Sequence, residues 1–356
     1  MKFTELHVEG YERVVRCDDP ASGLKALISV HDTTLGPSLG GMRMWAYLSD
    51  HEALTDVNRL SKGMTYKSAV AETGLGGGKS VIIGNAKTDK SEALFRAMGR
   101  FVNHLGGLYT TAEDVGTNVD DMVTVRKETK HVTGLPREMN SSGDPSPYTA
   151  IGVYHGIRAC VESALKTKDL KGVRIAVQGA GNVARYLCGH LRSAGAKLLI
   201  TDIVPEKAKL VADEHGATLV APEDIYDADC DVYCPCALGA TINDDTVPRL
   251  RCKIVAGAAN NQCLTVEHGD RLRERGILYA PDFVINAGGI INVSVELEPK
   301  GYNEERARAK VNNIYGAVSD IIKTAEREKI STNRAAILLA ERKLAEGRKK
   351  KAERKR

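Results

Sequence analysis

Two lysines and one aspartate in the first third of the chain are suited to the chemistry of a carbon–nitrogen bond. Lys67 lies near the end of an apparent helix, and Lys79 follows three glycines that we expect to form a turn into the apolar strand 81–83. Two ammonium groups in one pocket lower the pKa of at least one lysine, which can then act as a base near neutral pH. Asp114 can carry protons to the departing nitrogen. The alternative is that both lysines are solvated and the glycines form an ordinary loop.

A second pattern, G-x-G-x-x-A, indicates a dinucleotide-binding unit. Gly179, Gly181 and Ala184 follow the strand-like segment 173–178 and precede a helical pattern. The glycines allow backbone N–H groups to approach a pyrophosphate at the positive end of the helix dipole. Asp202 ends the next predicted strand, about twenty residues further on, where a carboxylate binds the ribose and favours NAD over NADP. The alternative is a strand-to-helix turn that binds no nucleotide.

Length and composition limit the class of protein. A chain of 356 residues exceeds a single typical domain, so two domains are expected. No apolar run approaches the roughly 18 residues of a membrane span, and the first residues lack the apolar core of a signal peptide. Eight cysteines scattered through a long chain fit a reducing compartment. The sequence therefore predicts a soluble, cytoplasmic protein.

The cysteine and charge distributions argue against two further classes of site. Cys230, Cys234 and Cys236 form the only cysteine cluster, but it lacks a fourth ligand and the usual C-x-x-C spacing, so no metal is predicted. The formal net charge is +4, and the segment 348–356 alone contributes seven cations and one anion, which leaves −2 for the rest. No aromatic residues interleave with these charges, so we favour a frayed, solvated helix end over a nucleic-acid site.

The pattern of elements predicts an α/β fold. Short strand-like segments at about 11–16 and 24–31 precede a helix whose start, Ser49-x-x-Glu52, resembles a capping box. The turn-rich segment 140–147 is interpreted as a hinge, with Ser146 and Pro147 as the N-cap and first residue of the next helix. Further strands are predicted at about 217–220, 231–235, 253–257 and 278–280, and residues 303–347 are predicted to be helical.

We therefore expect two domains. The first is an α+β substrate and catalytic domain that also serves oligomerisation, and it comprises residues 1–140 with the C-terminal helices at about 325–347. The second is a Rossmann-like NAD-binding domain with a twisted parallel sheet, residues 141–324. A basic tail, residues 348–356, follows.

Several long motifs in one order carry a resemblance to a known family. They are the segments 35–45, 62–67, 76–79, 111–117, 143–147, 235–240, 258–262 and 284–293. Together they are similar to the amino acid dehydrogenase superfamily of glutamate, leucine, phenylalanine and valine dehydrogenases, with the leucine dehydrogenases as the nearest branch. The resemblance covers nearly the whole chain except the tail.

The resemblance implies a reaction and a role for each ionisable residue. Lys67 would bind the α-carboxylate of an amino acid, and hydride would pass from the α-carbon to the nicotinamide. Lys79 would activate the water that attacks the resulting imine, and Asp114 would protonate the amine that leaves as ammonia. A cleft between the domains that closes by hinge motion and a homo-oligomeric assembly are also implied.

The resemblance also implies two sets of binding residues. Those expected to bind substrate are Lys67, Leu39, Gly40, Gly41, Ala112, Asn261, Ile290 and Val293. Those expected to bind the cofactor are Arg43, Thr149, Gly179, Ala180, Gly181, Asn182, Val183, Ala184, Asp202, Ile203, Cys236 and Ala237.

The expected substrate is an apolar L-amino acid. Glutamate-specific relatives have a lysine at the position of Leu39 and a serine near the position of Val293, so a glutamate γ-carboxylate would be buried unpaired here. Leucine, valine and isoleucine are therefore favoured. An aromatic substrate, phenylalanine or tryptophan, stays open because one methylene changes binding by only about 1–3 kcal/mol. A non-catalytic binding protein on the same fold is the alternative of a different class.

Overall fold

The computed structural model describes residues 1–353, which form two compact units. The first unit contains residues 1–144, 293–304 and 340–353, and the second contains residues 145–292 and 305–339. These boundaries differ from the expected ones because the chain returns to the first unit at 293 and because residues 325–339 belong to the second. The functional division into catalytic and NAD-binding domains stays a prediction.

The first unit is built on a mixed sheet with the order β1-β2-β3-β5-β4-β6. Its strands are β1 (Lys2–Leu6), β2 (Arg13–Asp19), β3 (Leu24–Asp32), β4 (Ser38–Trp45), β5 (Gly76–Ile83) and β6 (Tyr109–Glu113). Its principal helices are α1 (Asp50–Val70), α2 (Glu92–His104) and α3 (Val119–Arg126). The strand β4 pairs in parallel with both β5 and β6, whereas β1, β2, β3 and β5 pair antiparallel in that order.

Helices cover both faces of this sheet. On one face, Met42, Met44 and Ile82 pack in a buried core with side chains of α2. On the other face, Val81 packs with Ala53 and Val57 of α1. Because side chains alternate along a strand, the residues between these positions on β4 and β5 point to the face that α1 covers.

The glycines at 76–78 lie within strand β5, so the expectation of a turn at this place is wrong. A Cβ atom on Gly77 would lie 2.1 Å from the backbone nitrogen of Thr65 in α1. A Cβ atom on Gly78 would lie 2.7 Å from the ring of Tyr109 on the opposite side. The absence of side chains thus lets α1 approach the backbone of β5 on one face and the Tyr109 ring of β6 approach it on the other.

The second unit contains a sheet of six strands that all pair in parallel, in the order β12-β11-β10-β7-β8-β9. The strands are β7 (Arg174–Gln178), β8 (Lys197–Thr201), β9 (Thr218–Leu219), β10 (Val232–Pro235), β11 (Ile254–Val255) and β12 (Leu278–Tyr279). This is the Rossmann order, which reverses direction between β7 and β10. The expected two-domain α/β class with a Rossmann-type sheet is confirmed.

The remaining helices include those expected after residues 146 and 181 and beyond residue 303. They are α4 (Ser146–Leu165), α5 (Asn182–Ser193), α6 (Pro205–His215), α7 (Val266–Glu274), α8 (Asp282–Ile285), α9 (Gly288–Ser294), α10 (Glu304–Asn312), α11 (Ile314–Glu328) and α12 (Thr332–Glu353). None of the helices within residues 1–353 is long and apolar enough to cross a membrane.

Three details differ from the sequence expectations. Ser49 caps α1 by accepting a hydrogen bond from the backbone of Glu52, but the Glu52 carboxylate accepts from Leu48, so the reciprocal half of the capping box is absent. Helix α4 begins at Ser146, one residue earlier than expected, with Pro145 at the N-cap. Residues 348–353 continue α12 as a helix rather than as a frayed tail, and residues 354–356 lie outside the described part.

The close approach of α1 to β5 can be tested with two glycines. Gly77→Ala should lower the free energy of unfolding by about 1–3 kcal/mol, because the added methyl group collides with the backbone of Thr65. Gly63→Ala is the matched control, since Gly63 is exposed within α1 and nothing lies within 4 Å of its Cβ position. The free energy of unfolding of Gly63→Ala should rise by about 0.5–1 kcal/mol, because alanine favours a helix over glycine. The midpoints of thermal unfolding of the two variants are compared with that of the parent. Equal midpoints for both variants would contradict the close approach of α1 to β5.

Candidate functional site

Three charged side chains converge at the carboxyl ends of β4 and β6 in the first unit. Lys79 on β5 and Arg43 on β4 point to the face that α1 covers, and Asp114 directly follows β6. The Lys79 Nζ atom lies 2.7 Å from Asp114 Oδ2. Arg43 Nε donates to the same oxygen at 3.1 Å. The structure thus brings together the predicted catalytic pair and adds an arginine to it.

A short loop holds the Asp114 carboxylate in place. The backbone N–H of Asp114 donates to Thr117 Oγ1, and this hydroxyl lies 2.8 Å from the carbonyl oxygen of Met42 on β4. Gly116 has φ +82°, and a Cβ atom there would lie 2.0 Å from the carbonyl oxygen of Met44. The loop is therefore fixed against β4, which is the strand that carries Arg43.

Burial and charge set the protonation of the Lys79–Asp114 pair. Lys79 is 5% exposed, and its burial lowers the pKa of the ammonium group; the nearby Asp114 opposes this effect, and Arg43 adds to it. Burial alone would raise the pKa of Asp114, but the charges of Lys79 and Arg43 outweigh it and lower that pKa to about 2. Asp114 is accordingly a carboxylate at neutral pH, beside an ammonium group that loses its proton more readily than an exposed lysine.

Arg43 also contacts a second carboxylate, which belongs to α1. Its Nη1 atom donates to Asp56 Oδ2 at 3.0 Å, and the Tyr47 hydroxyl donates to the same oxygen at 2.6 Å. The sequence reasoning missed Asp56 and assigned Arg43 to the cofactor alone. A signal was available, because Asp56 lies among Ala53 and Val57 on the apolar stripe of α1.

A glutamate beside the cluster has an unusual proton affinity. Burial of Glu113, together with the negative charges of Asp144, Asp114 and Asp121, raises its pKa to about 7. Its carboxyl group therefore changes charge near neutral pH, in contrast to that of the adjacent Asp114.

Gly41 is needed for the approach of Asp114 to Lys79. A Cβ atom on Gly41 would lie 2.8 Å from the Asp114 Cβ and 3.3 Å from Lys79 Nζ. A Cβ atom on Gly40 would lie 1.7 Å from the carbonyl oxygen of Gly78. Both glycines predicted to bind substrate thus serve close packing around the charged cluster.

Other predicted substrate residues of the first unit flank this cluster in the sheet. Leu39 on β4 is 2% exposed and pairs with Gly77 on β5, while Ala112 on β6 pairs with Gly41. Lys67 lies in the last turn of α1 and is partly buried. The expected common pocket for Lys67 and Lys79 stays a prediction.

The remaining predicted substrate residues lie elsewhere along the chain. Ile290 and Val293 are three residues apart on α9, so they share a face of this helix. Asn261 is exposed and has a left-handed backbone with φ +51°, and its carbonyl oxygen accepts from the backbone of Ala240. Their contribution to a substrate pocket stays a prediction.

The second unit contains the predicted dinucleotide loop between β7 and α5. Gly179 follows β7 with φ +102°, and Gly181 is the N-cap of α5. Asn182, Val183 and Ala184 form the first turn of that helix. Nothing lies within 4 Å of a Cβ atom built on Gly181, so this side of the loop is open. The backbone of the loop and the start of α5 therefore have the form that binds phosphate groups.

Asp202 lies directly after β8, and its carboxylate is hydrogen-bonded to this loop. Its Oδ2 atom accepts from the backbone N–H of Ala180 at 2.7 Å, and its Oδ1 atom accepts from that of Val204 at 2.8 Å. Ile203 beside it is 85% exposed. The predicted ribose-binding carboxylate thus adjoins the predicted phosphate-binding loop.

Two further cofactor candidates follow β10, the strand next to β7 across the point where the strand order reverses. A Cβ atom on Gly179 would lie 2.9 Å from the Ala237 Cβ and 3.0 Å from the carbonyl carbon of Cys236. This edge is where ligands bind in open α/β sheets. Thr149 lies in the first turn of α4, where its hydroxyl donates to the carbonyl of Pro145, and its contact with a cofactor stays a prediction.

Comparisons with known proteins agree with this architecture. The family models described as Glu/Leu/Phe/Val dehydrogenase, dimerisation domain, and Glutamate/Leucine/Phenylalanine/Valine dehydrogenase match residues 11–131 and 199–352. The leucine dehydrogenase of Bacillus cereus is 54% identical over 343 residues, 96% of this chain and 93% of that protein. The leucine dehydrogenase of Thermoactinomyces intermedius is 53% identical over 347 residues, 98% of this chain and 94% of that protein. The crystal structure of L-tryptophan dehydrogenase from Nostoc punctiforme has a TM-score of 0.82 and 44% identity, with 96% of this chain and 97% of that chain covered.

The two loop glycines should respond differently to the same substitution. Gly181→Ala should leave thermal stability near that of the parent and weaken dinucleotide binding, because the methyl group enters the open side of the loop. Gly179→Ala should destabilise the protein by about 1–3 kcal/mol, since its positive φ and the contact with Ala237 both oppose a Cβ atom. Thermal unfolding and fluorescence titration with NADH separate the two effects. Unchanged NADH affinity in Gly181→Ala would contradict the assignment of this loop.

Proposed function

The chain belongs to the family of glutamate, leucine, phenylalanine and valine dehydrogenases and is an amino acid dehydrogenase; we propose that it uses NAD to deaminate an apolar L-amino acid reversibly, with leucine, valine or isoleucine favoured. The products are the 2-oxo acid and ammonia. The observation that carries the proposed chemistry is the buried contact of 2.7 Å between Lys79 and Asp114, which joins a lysine of lowered pKa to a carboxylate.

Lys79 and Asp114 can exchange protons over their short contact. When the ammonium group loses its proton, the neutral Nζ atom can take a proton from the water that adds to the substrate imine. Asp114 is ionised in the resting site, because its pKa is lowered to about 2. It therefore begins as a proton acceptor at Oδ2 and can protonate the departing amine only after it has taken up a proton. The two residues thus serve opposite proton transfers in one cycle.

Substrate binding is proposed to use one cation and an apolar wall. Lys67 pairs with the substrate α-carboxylate, while Leu39, Ala112, Ile290 and Val293 surround its side chain, and Asn261 contributes a polar contact. Leu39 and Val293 offer no partner for a γ-carboxylate, and an unpaired buried charge is strongly disfavoured. This argument supports an apolar substrate over glutamate.

NAD is the proposed cofactor, and its chemistry is to accept hydride from the substrate α-carbon. The residues of the second unit suit it, because α5 begins at this loop and its first turn offers backbone N–H groups, and because open space lies at Gly181. Asp202 accepts hydrogen bonds from a free ribose and repels a 2′-phosphate. Arg43, Thr149, Ile203, Cys236 and Ala237 are proposed to complete the cofactor contacts.

The relatives support a branched-chain substrate over an aromatic one. The leucine dehydrogenase of Bacillus cereus shares 54% of the aligned residues with this chain, and the L-tryptophan dehydrogenase of Nostoc punctiforme shares 44%. We further propose a homo-oligomer, because one matching family model is described as a dimerisation domain. A cytoplasmic location is proposed because all eight cysteines are free, which suits a reducing compartment.

A substrate panel tests the proposed function. The purified protein should form NADH from leucine, valine or isoleucine, with kcat/KM at least about tenfold higher than for phenylalanine, tryptophan or glutamate. NADP should support a markedly lower rate than NAD. Absorbance at 340 nm provides the measurement at alkaline pH, where deamination proceeds. A higher rate with phenylalanine or tryptophan would establish the aromatic alternative, and no rate with any amino acid would favour a binding protein.

Replacement of the proposed base should remove turnover without removing cofactor. Lys79→Ala should lower kcat by at least about a thousandfold, because it removes the Nζ atom that contacts Asp114, while the Kd for NADH stays near that of the parent. Lys87→Ala is the control, since Lys87 is exposed after β5. Steady-state rates give kcat, and fluorescence titration gives the Kd for NADH. Activity within tenfold of the parent in Lys79→Ala would reject the catalytic role.

A further inference from the structure

We propose that Asp56 on α1 is a positioning residue: it fixes the guanidinium group of Arg43, and Arg43 in turn holds Asp114 in contact with Lys79. The inference rests on the proposed function, because it assigns a role within the same reaction. Asp56 itself contacts neither Lys79 nor Asp114 directly in the hydrogen bonds described for residues 1–353. Its effect on the reaction therefore passes through Arg43.

Both carboxylate oxygens of Asp56 are held by specific donors. Oδ2 accepts from Arg43 Nη1 at 3.0 Å and from the Tyr47 hydroxyl at 2.6 Å. Oδ1 accepts from Arg59 Nε at 2.7 Å, one turn further along α1. Burial alone would raise the pKa of Asp56, but the hydrogen bond from Tyr47 and the charges of Arg43 and Arg59 outweigh it and lower that pKa. Asp56 is thus a fixed anion at neutral pH.

Arg43 connects two carboxylates through different nitrogen atoms. Its Nε atom donates to Asp114, and its Nη1 atom donates to Asp56. The guanidinium group is rigid and planar, so a fixed contact at Nη1 determines where Nε points. An arginine without the Asp56 contact would be free to rotate away from Asp114 or to approach Lys79. Asp56 on α1 therefore fixes the position of Asp114 through Arg43.

The charge of Asp56 also acts on Lys79. The charged groups that act most strongly on Lys79 are Asp114 after β6, Arg43 on β4 and Asp56 on α1; the two carboxylates raise the pKa of Lys79, and Arg43 lowers it. Removal of Asp56 leaves the positive charge of Arg43 less compensated. The Lys79 ammonium would then lose its proton at a lower pH, while Asp114 would be less firmly held.

Packing alone does not account for an aspartate at this place. Asp56 is 7% exposed and lies on the stripe of α1 that also carries Ala53 and Val57. An apolar residue would fill this position without the desolvation of a charge, and buried ion pairs are weak contributors to stability. The contact with Arg43 gives this buried carboxylate a role that an apolar side chain could not fill.

The test compares Asp56→Asn with a matched substitution on the same helix. Asp56→Asn should lower kcat by about ten- to a hundredfold, with a smaller change in KM, because Asp114 is held less well. The acid limb of the kcat/KM profile should move to lower pH by about half a unit or more. Asp50→Asn removes an exposed carboxylate of α1 that pairs with Arg16, and it should change neither quantity. A purely structural role for Asp56 would leave the acid limb in place.

Two more variants cover the case in which Asp56→Asn folds poorly. Tyr47→Phe removes one donor to Asp56 and keeps its charge, so it should lower kcat less than Asp56→Asn does. Asp56→Glu keeps the charge and should retain the parent acid limb with a partly lowered kcat. The inference is overturned if the parent oxidises leucine while Asp56→Asn, or Tyr47→Phe in its place, matches the parent in kcat. An inactive parent would instead reject the proposed function, so the two failures are distinguishable.

Discussion

The first unit depends on a buried contact between opposite charges, Lys79 and Asp114. A charged group inside a protein is strongly disfavoured unless an opposite charge compensates it. Here the Lys79 Nζ atom lies 2.7 Å from Asp114 Oδ2. This distance requires the glycines at positions 76–78 that precede Lys79 in β5, a glycine at position 41 and a loop fixed by Thr117. The glycines, the loop and the sheet register can be understood as conditions for this one contact.

The sequence predicted the residue types of this site better than its backbone. Lys79, Asp114 and the adjacent glycines were identified from their order along the chain, and the structure brings the two charged groups together. The glycines were expected to form a turn, because consecutive glycines disfavour a strand when only local preference is considered. Close packing on both faces of β5 overrides that preference. Such a constraint arises from elements distant in sequence and leaves no local signal.

The contact between Arg43 and Asp56 was not predicted, although the spacing of residues along α1 carries a signal for it. An aspartate in an amphipathic helix is normally solvent-exposed, and only its spacing from Ala53 and Val57 places Asp56 on the buried stripe. The Rossmann sheet was more predictable, because each strand–turn–helix segment carries its own periodic pattern. Its finer contacts, such as that of Asp202 with the backbone of Ala180, depend on how neighbouring strands align.

The glycines in β4 and β5 have a consequence for protein engineering. A mutational library gains new substrate range only at positions where a different side chain can be accommodated. At Gly40 and Gly77, any Cβ atom would meet backbone atoms within about 2 Å, and backbone cannot move aside as a flexible side chain does. Substitutions introduced there would destabilise the protein rather than alter its selectivity. Directed evolution of this scaffold is therefore best confined to positions that already carry side chains, such as Leu39 and Ala112.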